Sequence, residues 1–202
     1  MRVSAKIRMK YDLQDRDLTG VLAEAALVAD ETERAFGQLS VEQINWKPRE
    51  GAWGIGQCFD HLIISERPYV EIFEEVRAGR RHGRLWERMP LLPRLFGRLL
   101  IGTLRPDSGR RARARPGFYP SSSPIAPGII AIFLEQQGQL RRLMEAMGGL
   151  DLDGITITSP VARFVTYSLM DACRIIVAHE QNHFVQATQV MASPGFPGST
   201  KG

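Results

Sequence analysis

The sequence predicts an all-α protein, a four-helix bundle with long connections, organised as a single domain over residues 1–202. The length of 202 residues, with 44% hydrophobic and 24% charged residues, suits one globular domain. Four segments carry apolar residues at spacings of three and four, and no set of strands is available to build a sheet. The helices are expected at about 17–39, 55–78, 128–147 and 168–190. Amphipathic helices of this length bury their apolar faces around a shared core.

The first two helices are each defined by one apolar stripe. In the first helix the stripe comprises Leu18, Val21, Leu22, Ala25, Val28, Ala29, Thr32, Ala35, Phe36 and Leu39. The second helix follows the sequence NWKPREGAWG, and its stripe comprises Ile55, Phe59, Leu62, Tyr69, Phe73 and Val76. Glu66 is the one polar member of that second stripe. A stripe of this width is typical of a helix with one face against a core.

The last two helices are delimited by turn residues and caps. The third begins after the sequence PSSSPIAPG and stops at Gly148. The fourth begins at Ser168, whose hydroxyl is expected to cap free backbone amides while Asp171 reaches back, as in a variant capping box. Residues 155–158 (ITIT) alternate like a strand, but a lone strand has no partner, so we interpret them as an extended loop.

Composition excludes several classes of protein. No stretch reaches the roughly 20 apolar residues of a membrane-spanning helix, and the N-terminus lacks the apolar region of a secretory signal, so a cytoplasmic location is expected. Cys58 and Cys173 have no paired-ligand spacing, which indicates buried thiols rather than a disulfide framework or a cysteine zinc site.

The positive charge is concentrated in one segment. Residues 77–115 hold twelve arginines against two acidic residues, a net charge of +10, which leaves −6 for the rest of the chain. The basic connection at about 79–127 is longer than a simple bundle needs and is expected to shape a substrate entrance or an oligomer contact. A non-catalytic alternative is that this segment contacts an anionic membrane or nucleic acid. No groove-reading helix accompanies the arginines, so nucleic acid is disfavoured.

Three of the four histidines fall in predicted helices. His179 and His183 are four residues apart on the fourth helix, so both imidazoles project from one face. His61 lies on the second helix at the flank of its apolar stripe. One reading is that each is an ordinary residue bonded to backbone or water, and the other is a facial three-ligand site for zinc or a similar divalent ion with one open position. His82 lies among arginines, where a solvated side chain is expected.

Two sequence signatures resemble those of the DinB-like superfamily of four-helix metal-binding proteins. The first is Asn45-Trp46-Lys47-Pro48, Gly51-Ala52-Trp53, Gln57 and His61-Leu62, and the second is the HxxxHxxQ pattern of residues 179–186. This superfamily includes the YfiT-type hydrolases, the bacillithiol transferases and the mycothiol-dependent enzymes. One departure is Gly54, where the family often places a serine cap.

The resemblance implies a metal site and a chemistry. It makes His61, His179 and His183 the ligands of a divalent metal ion, with zinc or nickel favoured and iron or copper as alternatives. It favours transfer of a low-molecular-weight thiol to a small-molecule substrate, with metal-dependent hydrolysis as the competing reaction, and it implies a homodimer. Gln186 is a candidate for orienting a ligand or substrate, whereas Glu180 is not assigned as a general base. Trp46 and Trp53 are expected to pack the ends of the first two helices, with a role in the cavity wall as the alternative for both.

Overall fold

The computed structural model describes residue 13 and residues 17–81, 117–122, 124–162 and 165–198. Within these residues the elements are α1 (Leu18–Phe36), α2 (Val41–Asn45), α3 (Ile55–Arg77), α4 (Ile129–Ala146), β1 (Thr156–Thr158), β2 (Thr166–Ser168) and α5 (Leu169–Met191). His82 and most of the basic connection lie outside the described residues. None of the helices described is long and apolar enough to span a bilayer.

The four long helices confirm the predicted all-α bundle. Both α1 and α3 pack against α4 and α5, so α1 and α3 occupy opposite corners. One apolar cluster joins the first halves of α1 and α5 to the second halves of α3 and α4, and a second cluster joins the remaining halves. Therefore α1 and α5 run in one direction, and α3 and α4 run in the other.

This arrangement explains the long connection between α3 and α4. Because the two helices run in the same direction, the chain must return along the bundle before α4 begins. A 23-residue helix such as α3 is about 35 Å long at 1.5 Å per residue. A short turn cannot cover that distance, so the length of the connection follows from the topology.

The first helix ends earlier than predicted because a second helix begins close behind it. We expected it to extend to about residue 39, but α1 ends at Phe36 and α2 starts at Val41. Ser40 caps α2 through a capping box, in which Ser40 Oγ accepts from Gln43 N–H and Gln43 Oε1 accepts from Ser40 N–H. These two bonds favour a new helix over continuation of α1.

The interpretation of residues 155–158 as an extended loop was wrong. β1 pairs antiparallel with β2, with Ile157 opposite Tyr167. The partner strand has no separate signal in the sequence, because its last residue, Ser168, is also the N-cap of α5 and accepts from Asp171 N–H. Ile157 and Tyr167 are fully buried, so the pair closes the end of the core.

A buried polar layer separates the two apolar clusters. All four long helices contribute to it, and its buried members are Glu24, Ser65, Glu66, Gln137, Glu180, Gln181 and His183. Burying so many polar groups opposes folding unless each finds a partner. A buried polar layer in the middle of a bundle is therefore a candidate functional site.

Candidate metal centre

The three helical histidines meet where α3 and α5 pack together. His61 is on α3, and His179 and His183 are one turn apart on α5. His179 Nε2 lies 3.2 Å from His61 Nε2 and 3.1 Å from His183 Nε2. His61 and His183 are 6% and 7% exposed, and the His179 side chain is 16% exposed. Within the described residues, they form a cluster whose ligand atoms all lie within 4.8 Å of one another.

A backbone carbonyl fixes which His61 nitrogen faces the cluster. His61 Nδ1 lies 2.6 Å from the Phe118 carbonyl oxygen, and because a carbonyl only accepts, Nδ1 carries the proton. Neutral His61 therefore presents an Nε2 lone pair to the cluster. The loop that supplies this carbonyl is tied to α3 by two bonds, from Ser121 N–H to Asp60 and from Gln57 Nε2 to Ser121 O.

Trp53 forms a wall of the site. Its ring stacks on His183 with centroids 5.8 Å apart and an interplanar angle of 19°. It also lies 5.1 Å from the His61 ring. Trp46, from the same sequence signature, instead packs edge-on against Phe196. Of the two signature tryptophans, Trp53 is therefore the one that shields the imidazoles.

The start of α3 explains the glycine that departs from the family pattern. Gly54 is the N-cap of α3, and its N–H donates to Gln57 Oε1. A Cβ at Gly54 would lie 2.7 Å from the Trp46 carbonyl oxygen. Backbone at this distance cannot yield as a flexible side chain would. The close approach of the chain therefore requires glycine here.

Burial keeps all three imidazoles neutral. It lowers the pKa of His61, against the opposing effects of the Phe118 carbonyl and Asp60. It lowers the pKa of His179 well below the usual value, and the two neighbouring imidazoles act in the same direction. The pKa of His183 is lowered to about 3, mainly by burial and further by the neighbouring His61, while the Gln186 side chain raises it. Neutral imidazole is the form that binds metal ions.

The histidines fit a divalent ion. With metal–nitrogen bonds of 2.0–2.1 Å, ligand nitrogens are about 2.9 Å apart at right angles and about 3.4 Å apart in a tetrahedron. Two of the three separations, the 3.1 and 3.2 Å from His179 to its neighbours, lie between these values, and all three ligand atoms lie within 4.8 Å of one another. Without an ion, the three nitrogens face one another with too few N–H protons for each lone pair to accept a hydrogen bond. A cation satisfies all three lone pairs at once.

The other residues singled out in the sequence are placed as follows. Gln186 is half-buried on α5 beside His183. Cys58 is fully buried in an apolar cluster, and burial raises its pKa to about 12. Burial raises the pKa of Glu180 to about 8, while Gln137 and Arg141 close by act in the opposite direction.

Glu66 is the site residue that the sequence analysis did not assign. It is 1% exposed, and its Oε1 lies 3.8 Å from His179 Nδ1. Burial raises the pKa of Glu66 well above its usual value, and the neighbouring Glu180 raises it further. Its only sequence signal is its position as the one polar residue in an apolar stripe, five residues after His61.

Fold and site together define a helical-bundle protein with a buried three-histidine cluster able to hold a divalent metal ion. The sequence profile of the DinB superfamily matches residues 25–187. The chain therefore belongs to the DinB superfamily, as the two sequence signatures predicted. Neither the curated proteins nor the solved structures yield a significant match to this chain.

Proposed function

We propose that this protein is a metal-dependent enzyme that transfers a low-molecular-weight thiol to an electrophilic small molecule. The observation that carries the proposal is the convergence of three buried, neutral imidazole nitrogens from two helices. His61, His179 and His183 are the ligands, and zinc or nickel is the favoured ion, with iron or copper as alternatives.

Three protein ligands leave a coordination position for a reacting molecule. A divalent ion in this site supplies positive charge, which lowers the pKa of a thiol or water and stabilises developing negative charge. Trp53 excludes water from one side of the imidazoles. Gln186 lies next to His183 and is placed to hydrogen-bond the substrate or the thiol through its amide.

The state of the cysteines supports a thiol that arrives from outside the chain. Cys58 and Cys173 are fully buried, and burial raises the pKa of each to about 12. Neither side chain is a usable nucleophile near neutral pH. A separate thiol would form the new carbon–sulfur bond and give its proton to the leaving group or to solvent. The resemblance to the bacillithiol transferases and mycothiol-dependent enzymes favours the same reaction.

Metal analysis tests the site. We expect about one divalent ion per chain in protein purified without a histidine tag, and loss of that ion in His61→Ala, His179→Ala and His183→Ala. His82→Ala is the matched control, because it removes the fourth histidine of the chain, which is not among the three proposed ligands. Unchanged occupancy in a cluster variant would remove that residue from the ligand set.

A reaction screen tests the chemistry. Metal-loaded protein is incubated with several low-molecular-weight thiols and electrophiles, beside a set of esters and amides, and products are identified by mass spectrometry. We expect thioether products that require both the metal and His179. Ester or amide cleavage without thiol consumption would make the protein a hydrolase instead. Inactivity of fully loaded protein on both sets would leave only metal binding.

Three further expectations from the sequence remain predictions. These are the homodimer, the cytoplasmic location and the absence of a nucleic-acid partner. Sedimentation of the purified protein tests the first. Binding to DNA and to anionic vesicles across a salt series tests whether the basic segment 77–115 contacts either polyanion.

A further inference from the structure

Glu66 is a buried carboxylate that has no hydrogen-bond partner among the residues that the structure describes. It is 1% exposed, and neither Oε1 nor Oε2 accepts a hydrogen bond. A carboxylate buried in this way opposes folding, and nothing in its apolar stripe on α3 requires one. An apolar residue would pack at this position without that penalty, so the carboxylate calls for another explanation.

The position of Glu66 relative to His179 supplies that explanation. Its Oε1 lies 3.8 Å from His179 Nδ1. The other nitrogen of the same ring, Nε2, is the central atom of the histidine cluster, with both neighbouring Nε2 atoms within 3.2 Å. Glu66 therefore faces the nitrogen of His179 that is remote from the proposed ion.

We propose that Glu66 is a positioning residue, which accepts the Nδ1 proton of His179 and so directs the Nε2 lone pair toward the metal ion. The inference rests on the metal site of the proposed function. The 3.8 Å separation exceeds a hydrogen bond by roughly 0.8 to 1 Å. The contact closes by a small rotation of the Glu66 side chain, which no hydrogen bond of that carboxylate opposes. Carboxylates in this position orient ligating histidines and increase their basicity.

One of the other two histidines shows the same arrangement with a different partner. The remote nitrogen of His61 faces the Phe118 carbonyl at 2.6 Å. His183 Nδ1, in contrast, is buried and has no hydrogen-bond partner among the described residues. With Glu66 as the partner of His179, two of the three imidazoles are held at the remote nitrogen, and only Glu66 brings a carboxylate.

Glu180 provides a matched control. It is as deeply buried as Glu66, and it follows His179 directly in the sequence. Its surroundings differ, because Gln137 and Arg141 lie close by and lower its pKa, although Glu180 Oε2, like the two Glu66 oxygens, has no hydrogen-bond partner among the described residues. The two carboxylates repel each other electrostatically, so removing either one relieves the same repulsion. Only removal of Glu66 takes away the partner of His179.

The test compares Glu66→Gln, Glu66→Met and Glu180→Gln. Zinc affinity is measured by competition with a chelator, the ligand field by the visible spectrum of the cobalt-loaded protein, and metal-free stability by urea unfolding. We expect Glu66→Met to bind zinc about 10- to 100-fold more weakly with a shifted cobalt spectrum. Glu66→Gln, which keeps an acceptor oxygen, should fall between that variant and the wild type. Glu180→Gln should bind zinc within about twofold of the wild type.

The stability measurement separates positioning from a structural role. Both glutamine variants should unfold at the same or a higher urea concentration than the wild type when metal-free, so weaker zinc binding cannot be ascribed to a damaged fold. Equal zinc affinity of Glu66→Met and the wild type would overturn the inference and leave the metal site intact. An equal loss in Glu180→Gln would also overturn it, because the effect would then come from charge alone. Absence of metal binding by the wild type would refute the metal site itself.

Discussion

Zinc should stabilise the protein strongly, and His61 should be required for that effect. The site joins α3 to α5, since His61 is on one helix and His179 and His183 are on the other. Two of the three nitrogen separations, 3.1 and 3.2 Å, already match a bound ion, which favours binding. Zinc at 1,000 times its Kd then stabilises the folded state by about 4 kcal/mol.

This free energy corresponds to a large shift in the melting temperature. For a chain of 202 residues, each kcal/mol raises Tm by about 2–4 °C, so saturating zinc should raise Tm by roughly 8–16 °C. The assay is differential scanning calorimetry of metal-free protein with and without zinc. In His61→Ala only the two ligands on α5 remain. If its affinity falls about 1,000-fold, the stabilisation at the same zinc concentration falls to about 0.4 kcal/mol.

Two outcomes would refute this reasoning. One is a Tm shift below about 2 °C in wild-type protein that has bound a full equivalent of zinc, because the ion would then bind the unfolded chain as tightly as the fold. The other is an equal shift in the wild type and His61→Ala, because the ion would then not bridge α3 and α5. His82→Ala should behave as the wild type in both measurements.

Three other predictions follow from the packing and the buried groups. Gly54→Ser should lower the free energy of unfolding by about 1–3 kcal/mol, because the serine Cβ would lie 2.7 Å from the Trp46 carbonyl oxygen. This loss is expected even though serine is the better helix cap in isolation. Urea unfolding measures the effect, and a gain in stability would contradict the prediction. Cys58 and Cys173 are fully buried, so a thiol reagent at pH 8 should modify neither residue in folded protein and both in urea. Modification of either residue in the folded protein would contradict this burial. Burial raises the pKa of Tyr167 to about 12, so its neutral form is favoured in the fold. The stability that this contributes is present below the unfolded-state pKa of about 10 and is lost as the pH rises from 10 to 12. Tyr167→Phe should therefore lose less stability than the wild type over that interval, by an amount on the order of 2 kcal/mol; equal losses in both proteins would show that the phenol does not ionise on unfolding.

Much of the fold was predictable because its signals are local. The apolar stripes set the four long helices to within a few residues at most ends, and the N-cap hydroxyl of Ser168 gave the start of α5. Prediction failed where two signals overlapped in the chain. Ser40 begins a new helix inside the range assigned to the first one, and β2 ends on the cap residue of α5, so its strand character was hidden.

The candidate site was predictable to the extent that it lies on helix faces. The spacing of His179 and His183 placed two imidazoles on one side of α5, and the family signatures added His61. The same signature contains Trp46 and Trp53, and only the structure shows that Trp53 is the one beside the imidazoles. Glu66 had only one clue, its charge in an apolar stripe, because the residue it faces is 113 positions away. The Phe118 carbonyl had none, since every residue carries a carbonyl and only the path of the loop selects this one.

The sequence alone therefore determined the helices, the shared face of His179 and His183, and the family. These features depend on periodicity and on side-chain types, which are local properties of the chain. Only the tertiary structure decided that α3 and α4 run in the same direction, that one polar layer crosses all four helices, and that Glu66 and Phe118 stand behind the histidines. Those features depend on which faces pack together, and that choice is made by the burial of the whole core rather than by any one segment.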